Sequence, residues 1–190
     1  VINAAPHEAT MGLVYKIYFY HMPSAWMFML GAIVAGVASA RFLFSKRQAS
    51  DAPAVAAAEL AVVFGLLALV AWGVWWVWDA RLTSSLMLFL IFVAYLLLRQ
   101  FGGPGSEKLS AGLALFGMAN VPFIYVSVNY WRTLHPKTSV VPTLPVAMGI
   151  PLWFCVTAFL LLFRALLSLR ATLERHRTRI DSLYLSHDEA

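Results

Sequence analysis

Five apolar stretches, each close to the roughly 20 residues a helix needs to cross a bilayer, predict an all-α, polytopic integral membrane bundle. Composition agrees: 61% of the 190 residues are hydrophobic and 12% are charged. A soluble domain of this length carries about twice that charge. Mean hydropathy is +0.75, and the apolar residues come in blocks longer than most core helices.

The spans read in order as His21–Phe44, Pro53–Trp72, Leu82–Leu98, Leu109–Val128 and Val146–Leu169. The chain opens on Val1, so an N-terminal segment is expected ahead of it, and a span there would make six. "FGGPGSE" is a tight Gly/Pro connection and not a domain linker. Residues 1–170 therefore form one transmembrane domain, and residues 171–190 a water-exposed tail. Basic residues set the orientation. Arg41, Lys46, Arg47, Arg99, Lys108, Arg164, Arg170, Arg175, Arg177 and Arg179 fall on one side, predicted to be the cytoplasm together with the C-terminus. Only Lys16, Arg81, Arg132 and Lys137 fall on the other.

That outer side gathers three aromatic segments from distant parts of the chain. They are "YFYHMPSAW" at the start of the first span, "WGVWWVWDARLT" after the second and "NYWRTLHPKT" after the fourth. Interfacial belts also use tryptophan and tyrosine, so the cluster reads either as an anchor or as a platform for a flat apolar ligand. If the second helix continues through it, Trp72, Trp75, Trp76 and Asp79 share one face and Trp78 points elsewhere. Asp79 suits the N-cap of the third span, and Arg81 can snorkel to the headgroups.

The histidines narrow the choice. His7, His21 and His135 lie outside, His176 and His187 inside. Single interfacial histidines commonly serve as polar caps. Two facing one cavity beside indoles form a natural ligand set for haem iron through neutral imidazole nitrogen. Met22 and Met148 are weaker axial candidates. Haem propionates need cations, and Arg81, Arg132 and Lys137 are candidate partners.

With these residues in view, the chain resembles a known family. "WGVWWVWDARLT", flanked by "KIYFYHMPSAW" and "NVPFIYVSVNYWRTLHP", is similar to the tryptophan-rich WWD signature of the haem-handling proteins of cytochrome c biogenesis, most closely the CcmC branch. The likeness runs from about residue 10 to residue 170. It implies six spans and haem b held non-covalently at the periplasmic face of a bacterial inner membrane, with His21 and His135 as axial ligands. It also implies that Trp72, Gly73, Trp75, Trp76, Trp78 and Asp79 face the haem. Delivery to the haem chaperone CcmE, beside CcmA, CcmB and CcmD, is implied as well.

Other classes fit less well. The single Cys155 allows no internal disulfide, and there is no C-x-x-C-H site for covalent haem. No G-x-x-x-x-G-K-[ST] loop is present, and nothing points to hydrolytic chemistry or to nucleic acid, so a non-enzymatic binding and delivery role is expected. A b-type electron-transfer subunit would favour histidines deep within the spans. A solute transporter would use Asn120 and Pro122 in the fourth span, although a proline kink with Asn120 bonded to a neighbouring helix is the favoured explanation of that pair. Glu59, near the inner end of the second span, calls for a basic partner or for snorkelling.

Overall fold

The computed structural model describes residues 12, 14–45, 50–71, 76–131, 133, 135 and 141–188. Five long helices make up the molecule: α1 (Tyr18–Ser45), α2 (Asp51–Val70), α3 (Ala80–Phe101), α4 (Ser106–Tyr130) and α5 (Val146–Asp188). All five contain stretches long and apolar enough to cross a membrane, and the protein is a multi-pass membrane bundle. Short 3-10 turns, Val14–Ile17 and Val141–Thr143, precede α1 and α5. Contacts join the start of one helix to the end of the next, His21 to Ala68, Asp51 to Arg99 and Ser84 to Asn120, so α1, α2, α3 and α4 run antiparallel in succession and their ends alternate between two faces.

Without a hydrophobic effect between helices in lipid, close packing of small residues holds such a bundle. The α1–α2 pair does this with Ala32 and Ala35 against Ala57, Ala58 and Ala61, all inaccessible to solvent. A Cβ at Gly31 would stand only 3.1 Å from Ala61, so the two backbones come together there. Farther along, Gly117 of α4 accepts the Phe92 ring of α3, where a Cβ would come within 2.9 Å. Leu88, Phe92 and Tyr95 of α3 join Phe64 of α2 and Phe163 of α5 in the shared core. Outward leucines such as Leu161 and Leu162 on α5 remain exposed, as lipid-facing positions should.

One departure from the sequence reading bears on the site. α2 ends at Val70, and residues 76–79 are not helical. The helical wheel that placed Trp76 and Asp79 on a common face is therefore replaced by an irregular approach to α3. α5 runs unbroken for 43 residues, about 65 Å of helix. The polar tail from residue 171 thus continues the last span to Asp188, because nothing between Pro151 and Asp188 breaks the backbone ladder.

Both acidic residues of α2 are paired. Asp51 at the start of α2 bonds Arg99 at the end of α3. Glu59 takes both Nε and Nη2 of Arg170 from α5. A lone carboxylate on α2 has a shorter reach to water than a lone guanidinium. Arg170→Ala should therefore destabilise more than Glu59→Gln, by about 1 kcal/mol, or roughly 2–4 °C in the unfolding midpoint. Glu59→Gln/Arg170→Ala should recover most of that loss when unfolding is followed in detergent. Asn120, buried in α4, donates to the Ser84 carbonyl of α3 at 3.0 Å. Its amide is thus spent on helix packing.

Candidate functional site

The first turns of α1 and α3, the last turns of α2 and α4, and His135 beyond α4 surround a cavity of about 320 Å³. Most of its wall is apolar: Met22, Trp26, Phe28 and Met29 from α1, Leu69 from α2, Leu82 and Leu86 from α3, and Ile124 from α4. These α1 residues recur at helical spacing on one face. Phe28 can lie across α2 because Gly65 has no side chain: a Cβ there would meet the ring at 3.0 Å. Trp26 is backed by Trp153 of α5, with ring centres 5.6 Å apart.

Into this wall project two imidazoles, one guanidinium and one indole, those of His21, His135, Arg81 and Trp76. His21 closes the first turn of α1, where its Nδ1 lies 2.9 Å from the Ala68 carbonyl in the last turn of α2. A carbonyl can only accept, so in the neutral ring Nδ1 carries the proton and Nε2 the lone pair. Carbonyls at a helix C-terminus lack intrahelical partners, which makes the end of α2 a ready acceptor. His135 comes from the segment after α4, and its ring centre lies 6.0 Å from that of His21 with a 46° interplanar angle.

Asp79 links two parts of this face. It caps α3, its Oδ1 accepting from the Leu82 N–H at 2.7 Å. Its Oδ2 accepts from the Thr133 hydroxyl at 2.5 Å. The Thr133 oxygen in turn accepts the His135 backbone N–H at 3.0 Å. Asp79 is 8% exposed, so both bonds are shielded from water.

The tryptophans divide. Trp76 is half-buried and lines the cavity, while Trp78 packs edge-on against it at 5.3 Å and is 80% exposed. The Trp76 indole N–H is buried and finds no acceptor among the described residues. A buried donor in that condition is costly in an apolar wall and marks a place where a ligand acceptor would be stabilised.

Of the residues singled out from sequence, His21, His135, Trp76 and Arg81 meet at the cavity, and Asp79 lies behind it. Trp78 stands at the rim. Trp72, Gly73, Trp75, Arg132 and Lys137 lie outside the described residues, as does His7. Met22 lines the cavity, whereas Met148 at the start of α5 does not. His176 is exposed on the distal part of α5. Sequence reasoning passed over Trp26 and Thr133. The 4-residue spacing of Met22 and Trp26 signals the first, and a threonine two residues before His135 signals the second.

A helical membrane bundle in which two histidines, an arginine and Trp76 line an apolar cavity at one end has the chemistry to enclose a mostly apolar ligand. Residues 1–185 match the family model for CcmC, described as Heme exporter protein C, and the chain belongs to that family. It is similar to Heme exporter protein C of Bradyrhizobium diazoefficiens, 36% identical over 95% of this chain and 74% of the relative. Against Heme exporter protein C of Escherichia coli K12 the identity is 34%, over 95% of this chain and 80% of the relative.

Proposed function

We propose that this protein binds haem b non-covalently in the cavity at the periplasmic end of the bundle and passes it to the chaperone CcmE during cytochrome c maturation. The observation that carries the reading is the pair of imidazoles facing one apolar cavity. Two imidazoles bound to one metal through nitrogen at about 2 Å put their ring centres roughly 6 Å apart. His21 and His135 stand at 6.0 Å. The bond from His21 Nδ1 to a backbone carbonyl is the outer-shell contact typical of a metal-ligating histidine. Arg81 supplies a cation for a propionate, and the buried Trp76 N–H a neutral donor.

Haem here is cargo. The walls would cover its faces and exclude water while the two imidazoles hold the iron. Handing it on requires those contacts to loosen when the chaperone arrives, with CcmA, CcmB and CcmD as the proposed surrounding complex. The basic inner loops support a cytoplasmic C-terminus and therefore a periplasmic cavity.

Purified protein incubated with haem should develop the Soret and α/β bands of a six-coordinate, bis-histidine species, and mixing with apo-CcmE should move the haem to the chaperone. A b-type electron-transfer subunit would show the same bands and keep its haem through that mixing. The absence of a haem band under every loading condition would sink the proposal.

A further inference from the structure

The two histidines are held in different ways. His21 stands on a helix and is tied to a second helix through the Ala68 carbonyl. His135 follows α4 in an irregular segment, and a side-chain chain fixes its backbone. Its N–H donates to Thr133, whose hydroxyl donates to Asp79, whose other oxygen caps α3. Asp79 ends the tryptophan stretch, one residue after the exposed Trp78.

We propose that Thr133 is a positioning residue for His135, coupling it through Asp79 to the tryptophan segment, so that a ligand held by both histidines is released from the His135 side. This rests on the haem-binding reading above. The cavity then has fixed walls, the helices α1 to α4, and one movable wall made of residues 76–79 together with His135. A partner that touches the exposed Trp78 shifts Asp79, and Thr133 transmits the shift to His135 without disturbing His21.

The chemistry requires these residue types. Asp79 uses both oxygens as acceptors at once. Asparagine keeps one oxygen for the cap and puts an NH2 at the other position, so the bond to Thr133 can survive only with its direction reversed. Thr133 must donate and accept together, as a hydroxyl can and a valine of the same shape cannot.

The test uses the full-length protein in detergent. In haem-free protein, diethyl pyrocarbonate modification of each histidine is followed by mass spectrometry. Thr133→Val should speed modification of His135 several-fold and leave His21 unchanged, while Thr133→Ser stays at the wild-type rate. In loaded protein, Thr133→Val should weaken haem retention about tenfold and shift the spectrum toward the five-coordinate form that His135→Ala gives. Adding Thr133→Val to His135→Ala should cost nothing further, whereas adding it to His21→Ala should cost its full effect. Equal losses on both backgrounds, or an unchanged His135 rate in Thr133→Val, would overturn the coupling even if wild-type protein binds haem normally. If wild-type protein takes up no haem, the functional reading fails instead, and the haem-free modification rates still judge the link from Thr133 to His135.

Discussion

Alanine at His21 or at His135 should leave bound haem five-coordinate, with a displaced Soret band and retention weakened by about a hundredfold or more. Loss of a contact behind a metal ligand already costs 10–100-fold, and loss of the ligand itself should reach at least the upper end. His21→Ala should be the more damaging. It removes a nitrogen held between two helices, and the Ala68 carbonyl loses its contact. Added imidazole should enter the space left by either ring and restore much of the six-coordinate spectrum. Substitution of His176, exposed on the far part of α5, should change nothing. A Soret band unmoved by both variants would show that other groups hold the iron.

How far the sequence speaks for this site depends on what kind of constraint places each residue. Apolar length and basic loops locate the helices and bring the segments around His21, Trp76 and His135 to one end, since antiparallel connectivity leaves little choice. Capping chemistry is local, and Asp79 bonds Leu82 N–H as its position before "ARLT" suggests. Asn120 and Glu59 were legible for a similar reason. Polar groups inside an apolar span must find partners, and Ser84 and Arg170 supply them.

Other features depend on contacts that periodicity does not encode. "LALVAWGVWW" is apolar on every face, so no change of pattern marks the end of α2 at Val70. The run of polar residues after Leu169 looks like a boundary, yet polarity does not interrupt the backbone ladder of α5. Gly65 admitting Phe28, Ala68 accepting from His21 and Thr133 bridging Asp79 to His135 are pairings between distant segments. Each is evident only when the helices are set side by side.

The same distinction shapes the second large effect, at the tryptophans. An interfacial belt needs amphipathic rings in no particular direction, and a ligand wall needs one ring facing inward. The structure separates the two roles without a helical wheel: Trp76 lines the cavity, and Trp78 is 80% exposed. Trp76→Ala should remove an aromatic face worth about 1 kcal/mol beyond its burial, together with the burial itself and the indole N–H. Haem affinity should therefore fall about tenfold or more. Trp76→Phe should restore the face without the donor and recover part of the loss, the remainder reporting on a polar contact from Nε1. Trp78→Ala should change haem affinity less than about threefold, since its ring supports Trp76 only from the side. Its effect should fall on transfer to the chaperone if the rim is where a partner lands. Haem titrations and transfer rates for the three variants, at matched amounts of folded protein, decide between belt and wall. Equal, small effects at both positions would favour the belt, and a loss of affinity confined to Trp78 would reverse the assignment of the two rings.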